Sequence, residues 1–83
     1  MRLPRYLLVN DRPVMWVATE NGGLDILVMD LDTGEFERDM SYLTKSDKQF
    51  NPFGDIDEIT EEEFKAIVSR IRQQLPQYRN LIM

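Results

Sequence analysis

Along the first half of the chain, short stretches rich in apolar residues are separated at regular intervals by polar, turn-forming residues. Asn-Asp-Arg-Pro, Asn-Gly-Gly and Asp-Thr-Gly separate four stretches that are rich in strand-forming residues. These stretches are predicted strands at about 5–9, 14–20, 24–31 and 35–43. The turns are too short for the crossovers that parallel neighbours require, so the pattern predicts an antiparallel meander.

Near the C-terminus the apolar residues show the spacing of a helix. Thr60 and Glu63 have the spacing of a capping box, in which each side chain accepts a hydrogen bond from the other residue's backbone N–H. The residues that follow show the three- and four-residue spacing of one buried helix face. These apolar residues are Phe64, Ile67, Val68, Ile71 and Leu75. Because Pro76 cannot continue a helix, the sequence predicts a helix over about 61–75.

The predicted elements form one small α+β domain over residues 1–83. We expect a four-stranded antiparallel sheet, flat or curled, with the C-terminal helix packed on one face. Residues 44–59 show no sustained period and are predicted to form a loop, and residues 76–83 a tail. A chain of 83 residues is too short for two domains that each bury a core.

The second and third predicted strands carry apolar residues on both faces, whereas one helix covers only one face of a sheet. Three covers for the other face remain open. The sheet curls into a partial barrel, or the loop with Phe50, Phe53 and Ile56 folds over it together with the tail, or a second copy or another protein packs there. For the last alternative, the candidate oligomer face consists of Met15, Val17, Leu27 and Met29.

Charge is distributed unevenly within the net charge of −5. Residues 44–63 carry seven acids and two bases, while residues 64–83 carry four bases and no acid. The densest negative stretch, over 55–63, has six acids and no base. Such a stretch steers a basic partner towards the surface. It equally suits the positive end of a helix dipole, so the charge alone has two interpretations.

Several classes of chemistry are disfavoured by the composition. The chain has no Cys and no His, which excludes disulfides, thiolate or imidazole metal sites and catalysis by either residue. The acids lack the spacing of a calcium-binding loop, and no glycine-rich phosphate loop precedes a helix. We therefore predict no enzyme activity, no metal and no cofactor.

The sequence predicts a non-enzymatic protein–protein interaction module in the cytoplasm, and an inhibitor of the immunity or antitoxin type that docks a basic partner is one form of it. The residues expected to bind the partner are Phe50, Phe53, Asp55, Asp57, Glu58, Glu61 and Glu62. A structural or assembly subunit, such as a homodimer formed through the sheet face, is the alternative.

A third alternative is a single-stranded nucleic-acid binder that stacks bases on aromatic side chains of the strands. The aromatic residues in question are Tyr6, Trp16, Phe36 and Tyr42. The negative net charge argues against this partner, since it repels phosphates. No membrane partner is predicted, because no segment approaches the roughly 20 apolar residues of a membrane-spanning helix.

Overall fold

The computed structural model of the chain describes residues 2–52 and 54–78. These residues form an α+β domain with a five-stranded antiparallel sheet in the strand order β4-β3-β2-β1-β5. The elements are β1 (Arg5–Val9), β2 (Arg12–Ala18), β3 (Leu24–Met29), β4 (Phe36–Arg38), α1 (Tyr42–Lys45), β5 (Ile56–Ile59) and α2 (Glu61–Gln73). The predicted α+β class and antiparallel sheet are confirmed, but the predicted number of strands is wrong by one.

The first two strands form a hairpin with a two-residue turn. Asn10 and Asp11 have positive φ angles of 50° and 67°, as the tight turns of hairpins require, and Asn and Asp accept this conformation better than most residues. Val9 is paired with Arg12 across the turn. The second strand therefore begins and ends two residues earlier than the predicted range of 14–20.

The fourth predicted strand, over 35–43, is wrong beyond Arg38. The Asp39 carboxylate accepts hydrogen bonds from the backbone N–H and the hydroxyl of Ser41, at 3.1 and 2.6 Å. This turn leads into α1 and ends the strand. Phe36 and Met40 consequently belong to hydrophobic clusters on opposite faces of the sheet, whereas a continuous strand would have placed them on the same face.

The predicted loop over 44–59 contains the fifth strand. β5 pairs with β1 at the edge of the sheet opposite β4. The connection between the two edge strands, residues 39–55, therefore crosses one face of the sheet and is termed the crossing segment. The prediction missed β5 because its two apolar residues, Ile56 and Ile59, face opposite sides and enclose two acids, which hides the alternation of a strand.

Both faces of the sheet carry a hydrophobic cluster. On one face, Met29 is buried together with Phe64 and Val68 of α2. On the other face, the buried cluster consists of Leu7, Val9, Val14, Trp16, Ile26, Val28 and Ile56. Met40 and Tyr42 of the crossing segment pack against this second cluster. The chain itself thus supplies a cover on each side of the sheet.

α2 confirms the predicted helix, although it ends at Gln73, two residues before the predicted end. The capping box is present, since the Glu63 N–H donates to Thr60 Oγ1 and the Thr60 N–H donates to Glu63 Oε1, each at 3.1 Å. Among the described residues, no helix is both long and apolar enough to cross a membrane.

The C-terminal end of α2 docks on the turn between β3 and β4. Arg72 Nε donates to the Gly34 carbonyl at 2.9 Å, and the Tyr78 hydroxyl donates to Glu35 at 2.8 Å. Gly34 has a φ of +76°, and a Cβ at this position would lie 2.7 Å from the Tyr78 ring. The turn therefore needs glycine both for its backbone conformation and for the close approach of the ring.

One buried hydrogen bond ties the crossing segment to the sheet. The Trp16 indole N–H donates to Ser46 Oγ at 2.9 Å, and both residues are only 1% exposed. The Ser46 hydroxyl in turn donates to the Tyr42 carbonyl. Phe50, by contrast, is 65% exposed and does not act as the cover. Phe53 and residues 79–83, which belonged to the predicted cover, lie outside the described residues.

The Trp16–Ser46 contact gives a direct stability test. We expect Ser46→Ala to lower the free energy of unfolding by about 1–3 kcal/mol, because it leaves the buried indole N–H without an acceptor. Urea unfolding followed by the fluorescence of Trp16, the single tryptophan, measures the effect.

Ser69→Ala, on the exposed side of α2, is the matched control and is expected to change the free energy of unfolding by less than about 0.5 kcal/mol. Equal stability of the two variants would contradict the role assigned to Ser46.

Candidate interaction surface

β5 is an edge strand, and among the described residues its backbone pairs only with β1. Just before β5, the Asn10 N–H donates to the Asp55 carbonyl at 2.8 Å. Asn10 and Asp55 are therefore a hydrogen-bonded pair of the ladder between β1 and β5. In an antiparallel ladder, hydrogen-bonded pairs alternate with non-bonded pairs. Asp57 and Ile59, two and four residues after Asp55, therefore direct their N–H and C=O groups towards β1.

The remaining two residues of β5 present their backbone to the outside of the sheet. By the same alternation, the N–H and C=O groups of Ile56 and Glu58 point away from β1. A row of unpaired backbone donors and acceptors is a template for a further strand. The edge at β5 thus offers two donors and two acceptors in regular strand geometry.

The side chains of β5 divide between the two faces. Ile59 joins the cluster under α2, and Ile56 joins the cluster under the crossing segment. Since side chains alternate along a strand, Asp57 lies on the α2 side and Glu58 on the opposite side. Asp57 and Glu58 are both exposed, so the edge carries a carboxylate on each side.

Glu58 is already held by a cation of the same chain. Arg5 donates to both oxygens of the Glu58 carboxylate, at 2.9 and 3.3 Å, and its guanidinium lies 4.7 Å from the centre of the Trp16 ring. The hydrogen bond from Arg5 lowers the pKa of Glu58, against the opposing effect of partial burial. Glu58 therefore contributes less free negative charge than the sequence suggests.

The first turn of α2 continues the acidic surface. Glu61 and Glu62 are exposed, whereas the Glu63 carboxylate is committed to the capping box. Glu61 accepts a hydrogen bond from the Tyr6 hydroxyl at 3.3 Å and lies 3.4 Å from the Lys65 ammonium group. Burial, and then the charge of Glu61, raise the pKa of Tyr6 above its ordinary value.

The five predicted acids lie in one continuous stretch, from the residue before β5 to the first turn of α2. We term this surface the acidic β5 edge; it consists of Asp55, Asp57, Glu58, Glu61 and Glu62. Of the two aromatic residues predicted with them, Phe50 is exposed in the crossing segment. Phe53 lies outside the described residues.

A hollow of about 220 Å³ adjoins β5 on the side of the crossing segment. Its lining is mixed: two apolar side chains, Leu7 and Ile56, lie beside five polar or charged ones, namely Arg5, Ser46, Asp47, Lys48 and Glu58. The hollow could not be predicted without β5, and the sequence indicated no strand at 56–59. No local pattern indicates that residues 46–48 lie beside β1.

The candidate oligomer face lies on the α2 side of the sheet. Met29 is completely buried in the single chain, and Met15 packs in the cluster that α2 covers. Val17 and Leu27 are half-buried. Met29 is therefore a core residue and has no surface with which to contact a second chain.

The aromatic residues considered for base stacking also belong to the hydrophobic clusters. Trp16 is buried in the cluster against which Tyr42 of the crossing segment packs. Tyr6 and Phe36 flank Phe64 under α2, with ring centres 4.9 and 5.8 Å from it. These four side chains thus serve the core of the domain.

A second hollow, of about 360 Å³, lies along α2 and has a positive character. Phe64, Val68 and Tyr78 line it together with Arg72. The Arg72 guanidinium lies 5.5 Å from the centre of the Tyr78 ring and already bonds the Gly34 carbonyl. This hollow differs in charge from the acidic β5 edge, so the two surfaces suit different ligands.

Within residues 2–52 and 54–78, no three acidic side chains converge in a group that could hold a metal ion. Comparison with family models, curated proteins and solved structures found no match to this chain. A function for this chain therefore has to be inferred from the geometry and charge of its own surface, above all of the acidic β5 edge.

The Arg5–Glu58 pair makes stability depend on pH. Because Arg5 holds the folded-state pKa of Glu58 below the ordinary value of 4.5, the pair stabilises the fold above this value and loses its effect as pH falls through the lower, folded-state value. At pH 7, we expect Glu58→Gln to be less stable than the wild type by under about 1 kcal/mol, as for other solvent-exposed pairs.

Urea unfolding between pH 7 and pH 3 should show this difference shrinking below pH 4.5. Glu20→Gln, an exposed acid in the turn after β2, is the control and should leave the pH dependence unchanged. A constant difference between Glu58→Gln and the wild type over the whole pH range would contradict the assignment.

Proposed function

We propose that this chain is a non-enzymatic, cytoplasmic protein-binding module that docks a basic partner on the acidic β5 edge. The observation that carries the proposal is a strand edge to which no other described strand pairs, with exposed carboxylates on both sides and in the adjoining helical turn. An inhibitor of the immunity or antitoxin type fits this proposal, because such a role needs only a stable scaffold and a charged face complementary to its target.

Burial favours the edge of the sheet over its faces as the docking surface. α2 and the crossing segment pack against the two hydrophobic clusters. The alternative, an assembly subunit that uses the sheet face, would need residues such as Met29 that the chain already buries. A nucleic-acid partner is disfavoured by the net charge of −5, which repels phosphates.

The free charge of the acidic β5 edge lies mainly on three residues. Glu58 is paired with Arg5, and Glu61 lies near Lys65. Asp55, Asp57 and Glu62 are exposed acids on the same stretch. Their field would increase the association rate of a basic partner, and salt would screen it within about 8–10 Å.

Charge substitutions on the edge test the proposal. The variant Asp55→Asn/Asp57→Asn/Glu61→Gln/Glu62→Gln removes four negative charges and leaves the Arg5 pair and the capping box intact. We expect association with a basic partner at low salt to slow by roughly tenfold or more. The measurement is affinity capture from the native cell, followed by binding kinetics with the captured partner.

A matched control removes the same charge from other parts of the surface. Asp11→Asn/Glu20→Gln/Asp32→Asn/Glu37→Gln changes four exposed acids that lie outside the acidic β5 edge. This variant should retain the partner with at most a small change in rate. If both quadruple variants bind equally well, or if the partner is acidic, the proposed docking surface is wrong.

A further inference from the structure

We infer that the acidic β5 edge binds its partner by strand addition: an extended segment of another protein, with alternating basic and uncharged residues, pairs with β5 as a sixth strand. The inference rests on the proposed function and adds the mode of binding and the sequence pattern of the partner. It follows from three features of the edge, namely its backbone, its two faces and its charge.

The backbone of β5 is prepared for a further antiparallel or parallel neighbour. Ile56 and Glu58 direct their N–H and C=O groups outwards, and β1 holds the strand in a regular ladder on its inner side. β5 contains no proline or lysine, which commonly block exposed edges. Main-chain hydrogen bonds would supply affinity, and alternate side chains would supply specificity.

The two sides of the edge select different side chains in the added strand. On the α2 side, Asp55 and Asp57 present carboxylates to every second residue of a neighbour, which favours lysine or arginine there. On the other side, two cations and two anions balance around the hollow of about 220 Å³, which therefore favours an uncharged residue over a further cation; these four are Arg5, Lys48, Asp47 and Glu58. The segment that fits both sides therefore alternates basic and uncharged residues with the period of a strand.

Charge argues against a second copy of this chain as the occupant. Pairing β5 with β5 of another molecule would bring Asp57 and Glu58 next to the same acids, and like charges on neighbouring strands are destabilising. The other edge strand, β4, has three residues, and its one cation, Arg38, already pairs with Asp25 at 2.6 Å. The acidic β5 edge thus fits a basic strand from a different protein.

The test uses two labelled peptides of identical composition. In the first peptide, of seven residues, lysine and valine alternate. In the second, all lysines precede all valines. Both peptides have blocked ends. Fluorescence anisotropy at low salt measures their binding to the full chain. We expect the alternating peptide to bind at least about tenfold more tightly, since only its pattern suits both sides of the edge.

A pair of variants at one position isolates the backbone contact. Glu58→Pro removes an outward N–H that bonds nothing within the sheet, a position at which an edge strand tolerates proline. Glu58→Ala loses the same contact with Arg5 but keeps the N–H, so it is the matched control. We expect the proline variant to bind the alternating peptide about five- to tenfold more weakly than the alanine variant.

If Glu58→Pro does not fold, NMR of the wild type supplies the second measurement, in which the alternating peptide should shift the amide signals of residues 54–62 and of β1. Failure of the alternating peptide to bind, or shifts confined to another surface, would overturn the inference. Equal binding of both peptides, abolished by the quadruple acid-to-amide variant, would also overturn strand addition while leaving the acidic docking surface in place.

Discussion

The structure depends on one constraint: a sheet that is apolar on both faces has to be covered on both sides by a chain of 83 residues. α2 covers one face through Phe64 and Val68. The crossing segment covers the other, and the buried hydrogen bond from Trp16 to Ser46 fixes it there. Since a buried indole N–H without an acceptor is costly, this bond specifies where the segment crosses the sheet.

The position of β5 follows from that crossing. A chain that leaves β4 at one edge and traverses the sheet arrives at the other edge, beside β1. There it forms a four-residue strand and enters α2 after Thr60 alone. The acids that favour the positive end of the helix are thereby placed beside a strand edge that pairs with no further strand in the described part of the chain. One stretch of sequence thus serves both the fold and the proposed docking surface.

Local features were predictable from the sequence, and long-range features were not. Thr60 and Glu63 specify the start of α2 through contacts three residues apart, so the helix and its acidic first turn were predicted. The bond between Trp16 and Ser46 joins residues 30 positions apart and leaves no periodic signal. The acids of the proposed docking surface are visible in the sequence itself, whereas the outward backbone of β5 and the hollow beside it were missed, because they depend on pairing with β1.

Residue-resolved amide hydrogen exchange in the free protein tests the central claim most directly, because it reports which backbone groups of β5 are paired. Our account predicts alternation: the amides of Asp57 and Ile59, bonded to β1, exchange slowly, while those of Ile56 and Glu58 exchange quickly. Slow exchange of all four amides would contradict the account, since the edge would then already be covered. Fast exchange of all four would show that β5 is not held in the sheet.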